Sequence, residues 1–143
     1  MRKQLTASLT AICLCASAWA ATAPHTWHTV TSDEGVWDAR LQMINQDGGF
    51  EARDGSALSA FTISPGKPQE YGFSFAKNAD FDVAYTLTLT QRSSDRMHFS
   101  SKACVYVVTA SGPARPDIRA SSFNGAICEW KTVPGVGEDF IVS

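Results

Sequence analysis

The clearest indication of the fold is the stretch Phe81-Asp-Val-Ala-Tyr-Thr-Leu-Thr-Leu-Thr90. Apolar side chains occupy every second position from Phe81 to Leu89, and mostly polar residues fill the positions between them. Side chains alternate across the two faces of a β-strand, so this pattern places one face against a core and the other in water. A helix would scatter the same apolar residues around its axis. The stretch therefore predicts a half-buried β-strand.

Other short runs alternate in the same way and are separated by residues that favour turns. They predict strands at 27–31, 37–43, 57–63, 71–75, 104–109, 118–123, 126–131 and 140–142. Asp47-Gly48 and Asn124-Gly125 predict tight turns, because glycine accepts the positive φ that such turns need. The second turn is expected to join 118–123 and 126–131 as a hairpin. The β-branched run at 104–109 is typical of a strand covered on both faces.

These strands follow one another without an internal repeat, a low-complexity segment or a convincing helical pattern. Trp37 and Tyr85 lie on the apolar faces of their strands and are expected in the core. The architecture that accommodates such a series is an all-β, single-domain antiparallel β-sandwich or flattened barrel of about eight or nine short strands.

The N-terminus has the three-part pattern of a secretory signal peptide. It begins with the basic Met1-Arg2-Lys3, continues without charge from Leu5 to Ala18, and ends with Ala18-Trp19-Ala20. The apolar run is shorter than the roughly 20 residues that a membrane-spanning helix needs. We expect cleavage after Ala20, which removes residues 1–20 and leaves residues 21–143 as a single β domain.

The charge of the chain argues against some partners. Loss of Arg2 and Lys3 with the signal peptide takes the formal net charge from −2 to −4, and no basic cluster remains. Nucleic-acid binding depends on clustered lysine and arginine side chains that meet phosphates. We therefore expect no nucleic-acid partner and no membrane insertion.

The two cysteines of the mature chain, Cys104 and Cys128, predict a disulfide. An even cysteine count in an exported protein is typical of disulfide bonding, and no further cysteine or histidine stands at metal-ligand spacing beside them. We therefore expect a periplasmic or secreted protein in which this bridge is formed.

Catalytic and metal-binding patterns are weak. A nucleophilic hydrolase needs a serine or cysteine beside an oriented base, and the chain has no Gly-x-Ser-x-Gly elbow. His25, His28 and His98 are expected to be solvated surface residues. Scattered carboxylates leave a small hydrolase open as a third alternative. The sequence predicts a protein that is not an enzyme and holds neither metal nor cofactor.

A binding role rests on four residues. The loop Ser111–Asp117 contains Pro113 and Pro116 and is expected to present Arg115 and Asp117 with little loss of entropy on binding. Arg119 follows on the next strand, and Trp130 ends a strand between charged neighbours, where an exposed ring anchors interfaces. The predicted binding residues are Arg115, Asp117, Arg119 and Trp130.

These observations predict an exported, non-catalytic binding protein. The expected partner is a protein, and the leading interpretation is a periplasmic inhibitor or immunity protein that neutralises a cell-envelope-directed enzyme. A carbohydrate-binding or surface-adhesion module is the alternative, since exposed tryptophan rings also stack on sugars.

Overall fold

The computed structural model describes residues 26–45, 49–73, 83–92, 101–110, 116–134 and 137–143. All regular elements in these ranges are β-strands, and none of these residues form a helix long and apolar enough to cross a bilayer. The strands are β1 (Thr26–Ser32), β2 (Trp37–Met43), β3 (Phe50–Glu51), β4 (Ala60–Ile63), β5 (Gln69–Phe73), β6 (Val83–Gln91), β7 (Ala103–Ala110), β8 (Asp117–Phe123), β9 (Cys128–Val133) and β10 (Gly137–Val142).

The strands form two five-stranded sheets, which confirms the β-sandwich. The first sheet has the order β3-β5-β1-β10-β9, and the second has the order β4-β2-β6-β7-β8. All pairings are antiparallel except that of β1 with β10, where Val30 lies opposite Phe140 in parallel register. The strand that the sequence did not predict is β3, because its two residues are too few to show an alternating pattern.

The core lies between the two sheets and follows the alternation seen in the sequence. On β6 the side chains of Tyr85, Leu87 and Leu89 have no exposed surface, while the threonines between them are half-buried. Trp37 is also fully buried, and its indole nitrogen donates a hydrogen bond to the Glu34 carbonyl at 2.8 Å. Burial of such side chains contributes roughly 1.5–3 kcal/mol each to folding.

One face of β7 is less covered than the sequence predicted. Cys104, Tyr106 and Val108 are fully buried, but Val105 and Val107 on the other face are only half-buried. The expectation that both faces are covered was wrong, because β7 belongs to the second sheet and its outer face carries no third layer within the described ranges.

The Asn124-Gly125 turn forms as predicted, with φ values of 54° and 79°. The Ala126 amide closes it by donating to the Phe123 carbonyl at 3.1 Å. The expected hairpin does not form, because β8 pairs with β7 while β9 pairs with β10, so the chain crosses between sheets at this turn. The predicted turn at Asp47-Gly48 and the signal peptide lie outside the described residues.

The disulfide between Cys104 and Cys128 is present, with 5.7 Å between the two Cα atoms. It joins β7 in the second sheet to β9 in the first, so it ties together strands that share no backbone hydrogen bonds. Structural disulfides of this kind form in oxidising compartments. The bridge therefore indicates an environment outside the cytoplasm.

Trp27 lies flat against the outer face of the first sheet. Its register partner on β5 is Gly72, and a Cβ atom added there would lie 3.0 Å from two atoms of the indole. The Arg53 guanidinium covers the ring, with Cζ 4.2 Å from its centroid, and is itself held by Glu70 through a 2.7 Å ion pair. The absence of a side chain at Gly72 thus leaves room for the indole of Trp27, whose ring also contacts the guanidinium of Arg53.

Gly72→Ala is expected to lower the free energy of unfolding by about 1–3 kcal/mol, the range of overpacking. The added methyl group pushes against an indole that Arg53 restrains. Urea unfolding followed by far-ultraviolet circular dichroism measures this loss. In a Trp27→Ala background the same change should be nearly neutral, and an equal loss in both backgrounds contradicts the steric explanation.

Candidate binding surface

The outer face of the second sheet presents outward side chains of β2, β4, β6, β7 and β8, and we name it the threonine face. Its central row is Thr86, Thr88 and Thr90 on β6, which alternate with buried leucines. The register places Arg40 of β2 beside Thr88, and Thr88 beside Val105 of β7. The short side chains at the centre of the sheet therefore lie between the longer polar side chains of β2 and the apolar side chains of β7.

A shallow depression of about 820 Å³ lies on the β2–β4–β6 half of the threonine face and is open to solvent. Its hydrogen-bonding side chains are those of Asp38, Arg40, Gln42, Thr62, Thr88 and Thr90. They include a carboxylate, a guanidinium, an amide and three hydroxyl groups on a rigid sheet. This set offers both hydrogen-bond donors and acceptors to a bound molecule.

The charges beside the depression are unequally paired. Arg92 contacts both carboxylate oxygens of Asp38, with Nε 3.1 Å from Oδ2, and Thr62 donates to Oδ1 at 2.9 Å. The hydrogen bond from Arg92 holds the pKa of Asp38 below its ordinary value. Arg40 is exposed and makes no ion pair with any residue that the structure describes. The negative charge of Asp38 is therefore balanced by Arg92, whereas the positive charge of Arg40 is not balanced by an ion pair with any described residue.

The predicted binding residues fall at different places. Asp117 and Arg119 lie on β8, at the border of the threonine face, with Arg119 Nε 3.4 Å from Asp117 Oδ2. Trp130 is 42% exposed and lies on β9 in the first sheet, opposite Phe140 of β10, and it points inward with its ring centroid 6.5 Å from that of Tyr106. Arg115 is outside the described residues. The structure thus brings Asp117 and Arg119 together and separates Trp130 from them.

The sequence reading missed the polar residues of the depression, above all Arg40. The alternation of β2 and β6 does identify Arg40, Gln42 and Thr88 as outward side chains. Finding that they share one surface needs the strand order, in which β2 and β6 are neighbours although more than 40 residues separate Arg40 from Thr88 in the chain.

His28 is not a surface residue, so that expectation was wrong. It lies on β1, between β5 and β10, and only 2% of its surface is exposed. Its Nδ1 accepts a hydrogen bond from the Glu138 amide at 3.2 Å, and its ring packs on Tyr71 with 5.3 Å between centroids. Burial lowers the pKa of His28 to about 4, so the imidazole is neutral at physiological pH. His25 and His98 lie outside the described residues.

Two tyrosines and a glutamate complete the polar interior around His28. The hydroxyl groups of Tyr71 and Tyr85 are 2.9 Å apart in a hydrogen bond, and burial raises the pKa of both phenols. The Glu138 carboxylate, 5% exposed as a residue, accepts a hydrogen bond from Thr132 at 2.9 Å. These groups are enclosed between the sheets, so they contribute to the core rather than to a surface site.

Metal-ligating side chains do not converge within the ranges that the structure describes, where His, Cys, Asp and Glu form no group of three or more. No known protein family, curated protein or solved structure matches this chain.

Proposed function

We propose that this protein is an exported, non-catalytic binding protein that contacts a protein partner through the threonine face. Within that class we propose an inhibitor or immunity protein that acts on a cell-envelope-directed enzyme, in the periplasm or after secretion. The observation that carries the proposal is the uncompensated guanidinium of Arg40 beside an open depression on a rigid sheet.

The chemistry of the face supports a protein partner. Arginine is among the residues that contribute most to protein interfaces, since its planar fork binds carboxylates through two hydrogen bonds. The short side chains of Thr88 and Ala60, the register partners of Arg40 on β6 and β4, let a partner's backbone approach closely. Because Arg40 makes no ion pair with the described residues, it gives up no such pair with them when a partner's carboxylate binds it.

The rigidity of the scaffold supports tight binding. Arg40 and Gln42 belong to a strand that is paired on one side with β4 and on the other with β6. The Cys104–Cys128 bridge also joins the two sheets covalently. A preordered surface loses little conformational entropy on association, which is how small inhibitors reach high affinity.

A glycan is the second candidate ligand, since carboxylate, amide and hydroxyl groups line the depression and sugars bind through such groups. Sugar-binding surfaces also use exposed aromatic rings for stacking. Phe61 lines the depression but packs on Tyr71 of the core, with 6.4 Å between ring centroids, and the half-exposed Phe123 lies at a corner of the sheet. A protein partner therefore accounts better for this surface.

Arg40→Glu is expected to weaken binding of the partner at least about tenfold, because it places a carboxylate where the partner presents one. A photo-crosslinking amino acid at position 88 should trap the partner from periplasmic or culture extracts, and the purified partner then gives Kd values by titration. The control is Lys131→Glu, a charge reversal on the outer face of the first sheet, where Lys131 is ion-paired with Asp139, so the free energy of unfolding is measured for both variants.

Position 29, on the outer face of the first sheet, provides the control site for cross-linking. The proposal is supported if the partner is trapped from position 88 but not from position 29. Trapping from position 88 should also be lost with Arg40→Glu and kept with Lys131→Glu. Equal trapping from both positions contradicts it. Saturable binding of a polysaccharide without any trapped protein favours the glycan instead.

A further inference from the structure

β8 is an edge strand that pairs with β7 alone among the described strands. The hydrogen bond from the Gln91 amide to the Lys102 carbonyl shows that even-numbered residues of β7 bond to β6, so its odd-numbered residues bond to β8. By the register, the backbone groups of Ile118, Ala120 and Ser122 then point away from the sheet. The free edge of β8 therefore offers alternate N–H and C=O groups for another strand.

The other edges of the sandwich are less suited to accept a strand. β3 has two residues and β4 has four, so each offers few hydrogen-bonding groups. β9 has six residues, with Glu129, Trp130 and Lys131 as a run of large side chains. β8 has seven residues in uninterrupted register with β7, and the small Ala120, Ser121 and Ser122 follow one another within it. Long regular edges of this kind are the sites where strand addition occurs.

The side chains of β8 complement those of a second, antiparallel copy of the same strand. In an antiparallel pair of two β8 strands centred on Ile118, Asp117 of each copy lies directly opposite Arg119 of the other. Both side chains are exposed, at 68% for Asp117 and 83% for Arg119, and the ion pair that they form with each other within one molecule is long, at 3.4 Å. On the opposite face the half-buried Ile118 meets its own copy. Opposite charges and β-branched residues are both favourable cross-strand pairs.

An antiparallel pair in a different register gives less favourable cross-strand contacts between these side chains. Centring the pair on Ala120 extends it from residues 116–120 to residues 117–123, but places Asp117 opposite Phe123 and Arg119 opposite Ser121. A charge then faces an apolar ring, and neither charge gains a partner. The centre at Ile118 pairs residues 116–120 of the two copies and places each charge of the edge opposite its counterpart in the other molecule.

We propose that two copies of this protein pair through β8, antiparallel about a two-fold axis at Ile118, and so join their second sheets into one continuous ten-stranded sheet. Ile118 exchanges two backbone hydrogen bonds with its copy, and the Ala120 amide donates to the Pro116 carbonyl of the second molecule. The threonine faces of both copies then form one extended surface. This pairing does not depend on the proposed function.

Sedimentation velocity over a concentration series tests the pairing on the disulfide-bonded protein. We expect a reversible monomer–dimer equilibrium. Asp117→Arg places arginines opposite each other and should raise the dimer Kd at least about tenfold. The exchange D117R/R119D recreates opposite charges in the same register and should bring Kd back to within about threefold of the original.

Ala120→Pro tests the backbone pairing, because proline lacks the amide that points to the free edge while the β7–β8 hydrogen bonds remain. It should abolish the dimer, and Ala120→Thr, which keeps the amide, should not. A monomer at every concentration overturns the proposal and leaves the edge to a strand of another protein. A dimer that withstands both Asp117→Arg and Ala120→Pro overturns it as well. Failure of the charge exchange to restore the dimer overturns the register at Ile118.

Discussion

Replacing Cys104 and Cys128 together by alanine is expected to lower the free energy of unfolding by roughly 3–4 kcal/mol. The two cysteines are 24 residues apart, and the bridge limits the conformations of the unfolded chain between them. The fold adds a second reason. β7 and β9 belong to different sheets, so without the bridge the β9 edge is attached to the second sheet by side-chain packing, one turn and the hydrogen bond that the Tyr106 hydroxyl donates to the Glu129 carbonyl at 3.0 Å.

Urea unfolding measured by circular dichroism, with tryptophan fluorescence as a second probe, tests this expectation. The wild-type protein in the presence of a reductant is the matched control, and it should unfold with nearly the same midpoint as the double variant. A loss below about 1 kcal/mol in both contradicts the stabilising role of the bridge.

Acidification from pH 6.5 to 4 is expected to lower the free energy of unfolding by about 3 kcal/mol through His28 alone. In this window the unfolded chain binds a proton at His28, while the folded protein does not. Stability is therefore complete above pH 6.5 and falls as the pH decreases. Below pH 4 the folded state binds the proton too, and this contribution levels off.

The groups packed around His28 make this effect specific. Its neighbours from β5, β6 and β10 are Tyr71, Tyr85, Glu138 and Phe140, and both tyrosines stay neutral over the whole window. A protonated imidazole would have to give up the hydrogen bond that Nδ1 accepts from the Glu138 amide. Surface carboxylates such as Asp38 and Glu70 have lowered pKa values, so their stabilising contributions are lost mainly at lower pH than that of His28.

Urea midpoints across the pH range measure this dependence, and His28→Asn is the control, since its side-chain oxygen can still accept from the Glu138 amide. The variant should show a much flatter profile between pH 6.5 and 4, whatever its stability at neutral pH. Nuclear magnetic resonance of the His28 ring protons gives an independent readout. A ring that titrates near pH 6.5 in the folded protein rules out this explanation.

The class of fold could be predicted from the sequence alone. Alternation in 83–90 and 37–43 specified strands with one buried face, because a period of two residues does not fit any helix. The sequence also predicted the disulfide, since the expected removal of residues 1–20 leaves a single pair of cysteines. The Asn124-Gly125 turn followed from local chemistry alone, as glycine and asparagine accept positive φ.

Which strands are neighbours depends on tertiary contacts and is seen only in the structure. Local patterns do not encode strand order, so the sequence predicted a hairpin where the chain in fact crosses between sheets after Gly125. The same limit explains His28, whose burial results from the pairing of β1 with both β5 and β10. It also explains Arg40 and Thr88, which form one surface because β2 and β6 pair across a long stretch of chain. Surfaces and buried polar clusters depend on contacts between distant residues, and folding alone brings those residues together.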